Sequence, residues 1–281
     1  MSTGLMPDDW WNGQDSWVGN RYALIEMGAL SGETRTALVE AAGGSYWPLI
    51  RGTQQEHLIR EGPWLMALSN AEEADWPGLQ AMGCGLMAWI ESALPEPALA
   101  SQLAPAMTVL SPEGKAWLLR FYSPSIIQAL HERATWSWHR DLFNGIERWW
   151  YRAQPGGWQY LDGLPDDGRR HDAWRLECDA SLWDALTGNT EVMTLTAHFV
   201  SEMPELFGDI CPCDRPGRVA NALAAADEAQ LLRPEDRRVY VYLWLEKGES
   251  FLHSDSMKHG IEQAACSAKT LLESLQTLEE H

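Results

Sequence analysis

Between Arg21 and Arg152 short β-type runs alternate with amphipathic helical stretches, and beyond about residue 176 the β-type runs give way to helical periodicity. That switch constrains the fold more than any other feature. An alternating half reads as mixed α/β and a periodic tail as helices packed on helices. Strands are expected at 22–25, 46–50, 63–68, 85–90 and 146–151, with the nearly all-apolar 85–90 as a buried central strand and Pro48 and Pro63 confined to an edge or a strand start. Residues 107–110 and 115–122 read as a hairpin around the turn 111–114, with Pro112 at its second position and Gly114 at its fourth. Ser31 opens a helix to residue 42, another spans 97–103, and Ser123-Pro124 starts a third.

The expected fold class is therefore α+β or mixed α/β: an N-terminal lobe with a mixed sheet and flanking helices, followed by an all-helical C-terminal lobe. The expected organisation is an arm over 1–18, the α/β lobe over 19–152, a Gly/Pro-rich connector over 153–175 with one short strand at 157–161, and the helical lobe over 176–281. Helices are expected at 180–187, 193–207, 217–232, 234–247 and 260–280, the last a single long amphipath.

Composition excludes several functions. The 281 residues carry a net charge of −19, with −7 through residue 160 and −12 beyond it, so the basic footprint of a nucleic-acid binder is missing. The longest apolar run, 239–245, is too short to cross a bilayer, and no membrane insertion is expected. The start of the chain lacks a signal-peptide pattern, and five scattered cysteines suggest reduced thiols, so the expected location is the cytoplasm.

A search for chemistry ends without an active site. No P-loop, no glycine-rich dinucleotide motif and no serine-nucleophile elbow is present. Cys211-Pro-Cys213 is a C-x-C pair without a second pair at zinc spacing, and Gly83-Cys84-Gly85 alone is a weak nucleophile signal. No catalytic residue, metal or cofactor is expected, and the protein is read as a non-enzyme.

One series of segments stands out: 21–25, 46–52, 61–68, 83–90 and 118–124, with Arg120-Phe121-Tyr122-Ser123-Pro124 as its most specific element. In this order and spacing they resemble the bacterial type VI secretion adaptor, or effector chaperone, family over residues 20–150. The family's opening strand ends in Asp-Gly where this chain has Glu26-Met27, and its Arg-Phe-Tyr-Asp-Pro appears here with Ser123 for the acid. The resemblance implies a protein that holds an effector toxin in the producing cell and hands it to the tail-spike protein. Tyr22, Gly52, Pro63, Arg120, Phe121, Tyr122 and Pro124 carry the family pattern, chiefly as scaffold. Competing readings are an acidic immunity-type protein that neutralises a toxin, and a cysteine- or metal-dependent hydrolase.

The 16 tryptophans suit cores and interfaces alike. Trp149 and Trp150 are adjacent in a strand and point to opposite faces, so one of them is expected outside the core, against the second lobe, a partner or solvent. The helix 234–247 is apolar nearly all round, and Tyr240, Tyr242 and Trp244 on it are the expected anchors for effector, unless its own lobe encloses them.

Overall fold

In β1 (Asn20–Glu26) Tyr22 and Leu24 lie in one apolar core while Ala23 and Ile25 lie in another, and all four side chains are buried. A strand with no wet face requires a sheet covered on both sides, which is the physical reason for its uninterrupted apolar run. The computed structural model describes residues 7, 19–53, 56–68, 82–153, 157–169, 174–188, 190–208, 210, 212, 214–266 and 269–279. The chain divides into two units, residues 1–188 and 189–281.

The first unit is built on two sheets. Its strands are β1, β2 (Tyr46–Pro48), β3 (Pro63–Leu68), β4 (Leu86–Ser92), β5 (Thr108–Leu110), β6 (Ala116–Leu118), β7 (Ile146–Arg152), β8 (Trp158–Asp162) and β9 (Leu176–Glu177). Six of them form an antiparallel sheet in the order β2-β3-β1-β4-β7-β8. Pro48 sits on the edge strand β2 and Pro63 opens β3, where neither proline interrupts a central ladder. The smaller sheet runs β6-β5-β9, with β5 antiparallel to β6 and parallel to β9.

Helix α1 (Gly32–Ala41) brings Leu38 to one face of the large sheet, where Ile25, Trp64, Met66, Trp89 and Trp150 form one core. Its start is capped by Ser31, whose hydroxyl accepts from Thr34 N–H at 3.1 Å. The other face carries α2 (Glu96–Leu103), α3 (Pro124–His131), α4 (Ser137–Phe143) and α5 (Ala180–Thr187), whose Leu103, Ile127, Phe143 and Leu182 share a core with Leu24, Ile90 and Trp149. Asp179 Oδ1 caps α5 by accepting from Leu182 N–H at 2.7 Å.

Two cores correct the expectation for the tryptophan pair. Trp149 is 0% exposed and Trp150 4%, each enclosed on its own side of the sheet, so neither is a surface anchor. Part of that cover comes from beyond residue 152: Leu182 and Leu186 of α5 in the first core, and Trp158 of β8 against the second. For the same reason the boundary lies later than the sequence places it: β8 extends the large sheet, β9 the small one, and α5 packs into the first core, so 153–188 belongs to the first unit. The expected arm over 1–18 lies outside the described residues apart from the buried Pro7, as do parts of the connector.

The second unit is helical: α6 (Thr190–Glu202), α7 (Arg215–Glu228), α8 (Pro234–Lys247), α9 (Glu249–Leu252), α10 (Asp255–Ala265) and α11 (Leu271–Glu279). Helix α8 has the limits expected of it, with Pro234 at its start and Gly248, φ +84°, after its end. It lies between two apolar clusters, giving Val241 to one with Phe199 and Leu223 and Tyr240 to the other with Leu252 and Met257. Arg237 pins three segments together. Its Nε and Nη2 donate to Glu191 on α6 at 2.8 and 3.0 Å, and its Nη1 donates to Asp227 on α7 and to the Leu231 carbonyl.

The long terminal amphipath is in fact two helices, α10 and α11. Thr270 explains the break. Its Oγ1 accepts from Glu273 N–H at 3.2 Å while Glu273 Oε2 accepts from Thr270 N–H at 2.8 Å, a capping box that starts a new helix. The buried Asp236 adds a second anchor, its Oδ1 accepting from Leu271 N–H at 2.7 Å at the same helix start.

Candidate functional site

The Arg120–Pro124 segment meets the end of β1. Glu26 closes that strand, and the Tyr122 hydroxyl donates to its Oε2. Arg120 Nε lies 3.8 Å from the same oxygen, although the arginine is largely in solvent. The two signature segments, about one hundred residues apart in sequence, therefore meet through one carboxylate. Burial holds the Tyr122 phenol far above its ordinary pKa, and the Glu26 charge adds to the effect.

The expected return strand over 115–122 ends early, at Leu118. The Ser123 N–H then donates to the Arg120 carbonyl at 2.9 Å, and this turn drives Phe121 and Tyr122 into the core. Phe121 stands edge-on to Tyr122 and 6.0 Å from Trp149, and Pro124 opens α3. Ser123 occupies the cap position, but its hydroxyl makes no capping bond. Tyr22 is buried beside β4, donating to the Leu94 carbonyl at 2.7 Å. Gly52 has φ +74°, a left-handed turn conformation that a β-carbon would strain, and Pro63 gives its carbonyl to Leu49 N–H.

Glu91 and His139, two buried titratable groups of the first unit, are engaged in the framework. Glu91 on β4 faces Arg21 on β1 and Arg148 on β7 in register, with ion-pair distances of 3.6 and 3.7 Å, and Trp150 Nε1 donates to it at 3.4 Å. His139 is buried against Phe143 and His131, with Nε2 hydrogen-bonded to the His131 carbonyl at 3.0 Å. Desolvation holds its imidazole below the usual histidine range.

Cys84 is disulfide-bonded, which overturns the reading of uniformly reduced thiols and removes the thiol that the Gly83–Gly85 turn offered. Cys178 is free and buried. Its thiol donates to the Leu110 carbonyl, and burial pushes its pKa up, away from the thiolate a nucleophile needs. Cys211 and Cys213 lie outside the described residues, among which no group of three His, Cys, Asp or Glu could hold a metal ion.

The expected anchors on α8 are mostly absorbed by their own unit. Tyr240 is buried, and Trp244 is half-buried with its Nε1 enclosed and without an acceptor among the described residues. Tyr242 is half-buried and hydrogen-bonded to Glu246.

A different surface is open. On β6 Trp117 is 52% exposed and Leu118 45%, and the Trp117 ring lies 5.9 Å from Trp183 of α5. All three residues of this strand are exposed, so neither face of the hairpin edge is covered there. The sequence reading of 115–122 as the return strand of a hairpin does not single it out. The signal was present: Ala116-Trp117-Leu118 has no polar residue to mark a wet face, in a strand held by a four-residue turn. An exposed Trp-Leu edge with a second tryptophan beside it can grip an apolar segment of another protein.

No curated protein and no solved structure matches the chain. Residues 21–140, which span β1, the Arg120–Pro124 turn and the exposed hairpin, match the model of the family described as a domain of unknown function, DUF4123.

Proposed function

We propose that the protein is a non-enzymatic adaptor of type VI secretion, which binds an effector toxin in the cytoplasm of the producing cell and delivers it to the tail-spike protein. The observation that carries this reading is the exposed Trp117–Leu118 edge, inside the segment that matches DUF4123. Titratable side chains in the same unit, Glu91 and Glu26 above all, are tied up in ion pairs and hydrogen bonds, as suits a scaffold that presents an apolar grip. The overall charge of −19 adds long-range attraction for a basic toxin, which raises encounter rate more than affinity.

The test is co-expression of the full chain with a type VI effector toxin and a tail-spike protein from the same genome, followed by affinity capture. Both partners should be retained. Trp117→Ala should weaken retention of the toxin by about tenfold or more while the melting temperature holds, as expected of an anchor worth about 2 kcal/mol. Retention of neither partner by the wild-type chain removes the adaptor reading. Retention of the toxin alone, with inhibition of its activity, replaces it with the immunity reading.

A further inference from the structure

The outer edge of β8 is complementary to itself. At the two ends of the β7–β8 hairpin Ala153 N–H donates to the Gly157 carbonyl and Gly163 N–H donates to the Glu147 carbonyl, both at 3.0 Å. The alternation of an antiparallel ladder then directs the backbone of Gln159 and Leu161 toward β7, and that of Trp158, Tyr160 and Asp162 outward. The Asp162 carbonyl does face outward, where His131 Nε2 meets it at 2.8 Å. Tyr160 has no partner for its backbone N–H or C=O among the described residues, and its ring is 46% exposed, resting 4.8 Å from Trp150. The opposite edge, β2, is three residues long and blunted by Pro48, whereas β8 is five residues without a proline.

We propose that β8 pairs with β8 of a second copy of this chain, antiparallel and centred on Tyr160, so that the sheet continues across a two-fold axis. In this register each Tyr160 exchanges two backbone hydrogen bonds with its counterpart, and Asp162 of one copy lies opposite Trp158 of the other. Arg152 is the cross-strand neighbour of that Trp158, holds its guanidinium 5.7 Å from the indole centre, and makes no ion pair among the described residues. Two strand spacings, about 9.6 Å, separate the Arg152 backbone from the incoming Asp162, within the combined reach of the two side chains. Symmetry forms this pair twice. An edge with a spare cation at one end and an exposed acid at the other is matched by its own reverse, and this favours a second copy over an unrelated strand. The Asp162 carbonyl keeps a second lone pair for the incoming strand beside its bond from His131.

The contact is small beside a standard interface of about 1,600 Å², and two chains of −19 repel one another, so the dimer is weak. Moderate salt screens that repulsion beyond about 8 Å and should strengthen it. The experiment is sedimentation velocity on the full chain from micromolar to submillimolar concentration. The expected result is a reversible shift from 31.6 kDa toward twice that mass. Asp162→Arg and Arg152→Asp should each weaken association by about tenfold, and the double swap R152D/D162R should restore it. Circular dichroism checks each variant's fold, and Asp162→Asn serves if the arginine is not tolerated. A monomer at every concentration overturns the proposal. So does a dimer indifferent to the Asp162 and Arg152 variants, or a double swap no better than the single ones.

Discussion

At Glu26 one carboxylate accepts the buried Tyr122 hydroxyl and faces an arginine that is mostly in water. The two partners differ in what their loss does. Glu26→Ala leaves a buried hydroxyl without an acceptor and should destabilise the protein by about 1–3 kcal/mol in urea unfolding, whereas Arg120→Ala should stay within about 1 kcal/mol. Glu26→Gln keeps an acceptor and should fall between them. His139 supplies a pH dependence of definite sign. Its folded pKa lies below the ordinary value, so between the two the unfolded chain binds the extra proton. Stability is complete above the ordinary histidine pKa of about 6.5 and declines as the pH falls from there toward the folded value. Melting temperatures recorded from pH 8 to pH 5, a range set about that pKa, should fall less for His139→Gln than for the wild-type chain.

Among the elements, α11 shows how a local signal can outrank a periodic one. The apolar stripe from Ile261 to Leu278 reads as one helix by spacing alone, but Thr270-Leu-Leu-Glu273 is a capping-box sequence and stops the reading at that point. Thr270→Ala should destabilise the second unit by about 1 kcal/mol, with faster amide exchange confined to α11 and the Asp236 contact. The strand β7 illustrates the reverse case, in which a correct local reading led to a wrong inference. Trp149 and Trp150 do point to opposite faces, yet both are buried, because α3 to α5 cover one face, and α1 with Met27, Leu30 and Met82 covers the other. Trp149→Ala should cost about 3–5 kcal/mol, the range for removing a large aromatic from a filled core.

On the scale of the whole molecule, the division at residue 188 has a direct consequence for truncation. A chain ending at 188 keeps β8, β9 and α5 and should be soluble and cooperative in thermal unfolding. A chain ending at 152 makes β7 an edge strand and removes Trp174, Leu176, Leu182 and Leu186 from the first core, so it should aggregate. Comparing the two fragments by soluble yield and by calorimetry decides the boundary. No helix among the described residues is long and apolar enough to cross a membrane, consistent with the short apolar run 239–245 on α8.

The sequence by itself determined what depends on neighbours in the chain: the alternating strands and helices of residues 20–152, the turn at 111–114, the limits of α8, and the places where Pro48 and Pro63 are tolerated. Periodicity, proline and glycine chemistry and caps act within a few residues, so they are legible without the fold. The tertiary structure alone decided that the large sheet has a core on each face, that 158–187 closes the first unit, that the opening acid and the Arg120–Pro124 turn share one hydrogen-bonded site, and that Trp117 and Tyr160 are open while Trp149, Trp150 and Tyr240 are buried. Each of these depends on which distant segments come to lie against a given strand or helix. Burial is a property of that pairing, and a side chain's own type does not encode it.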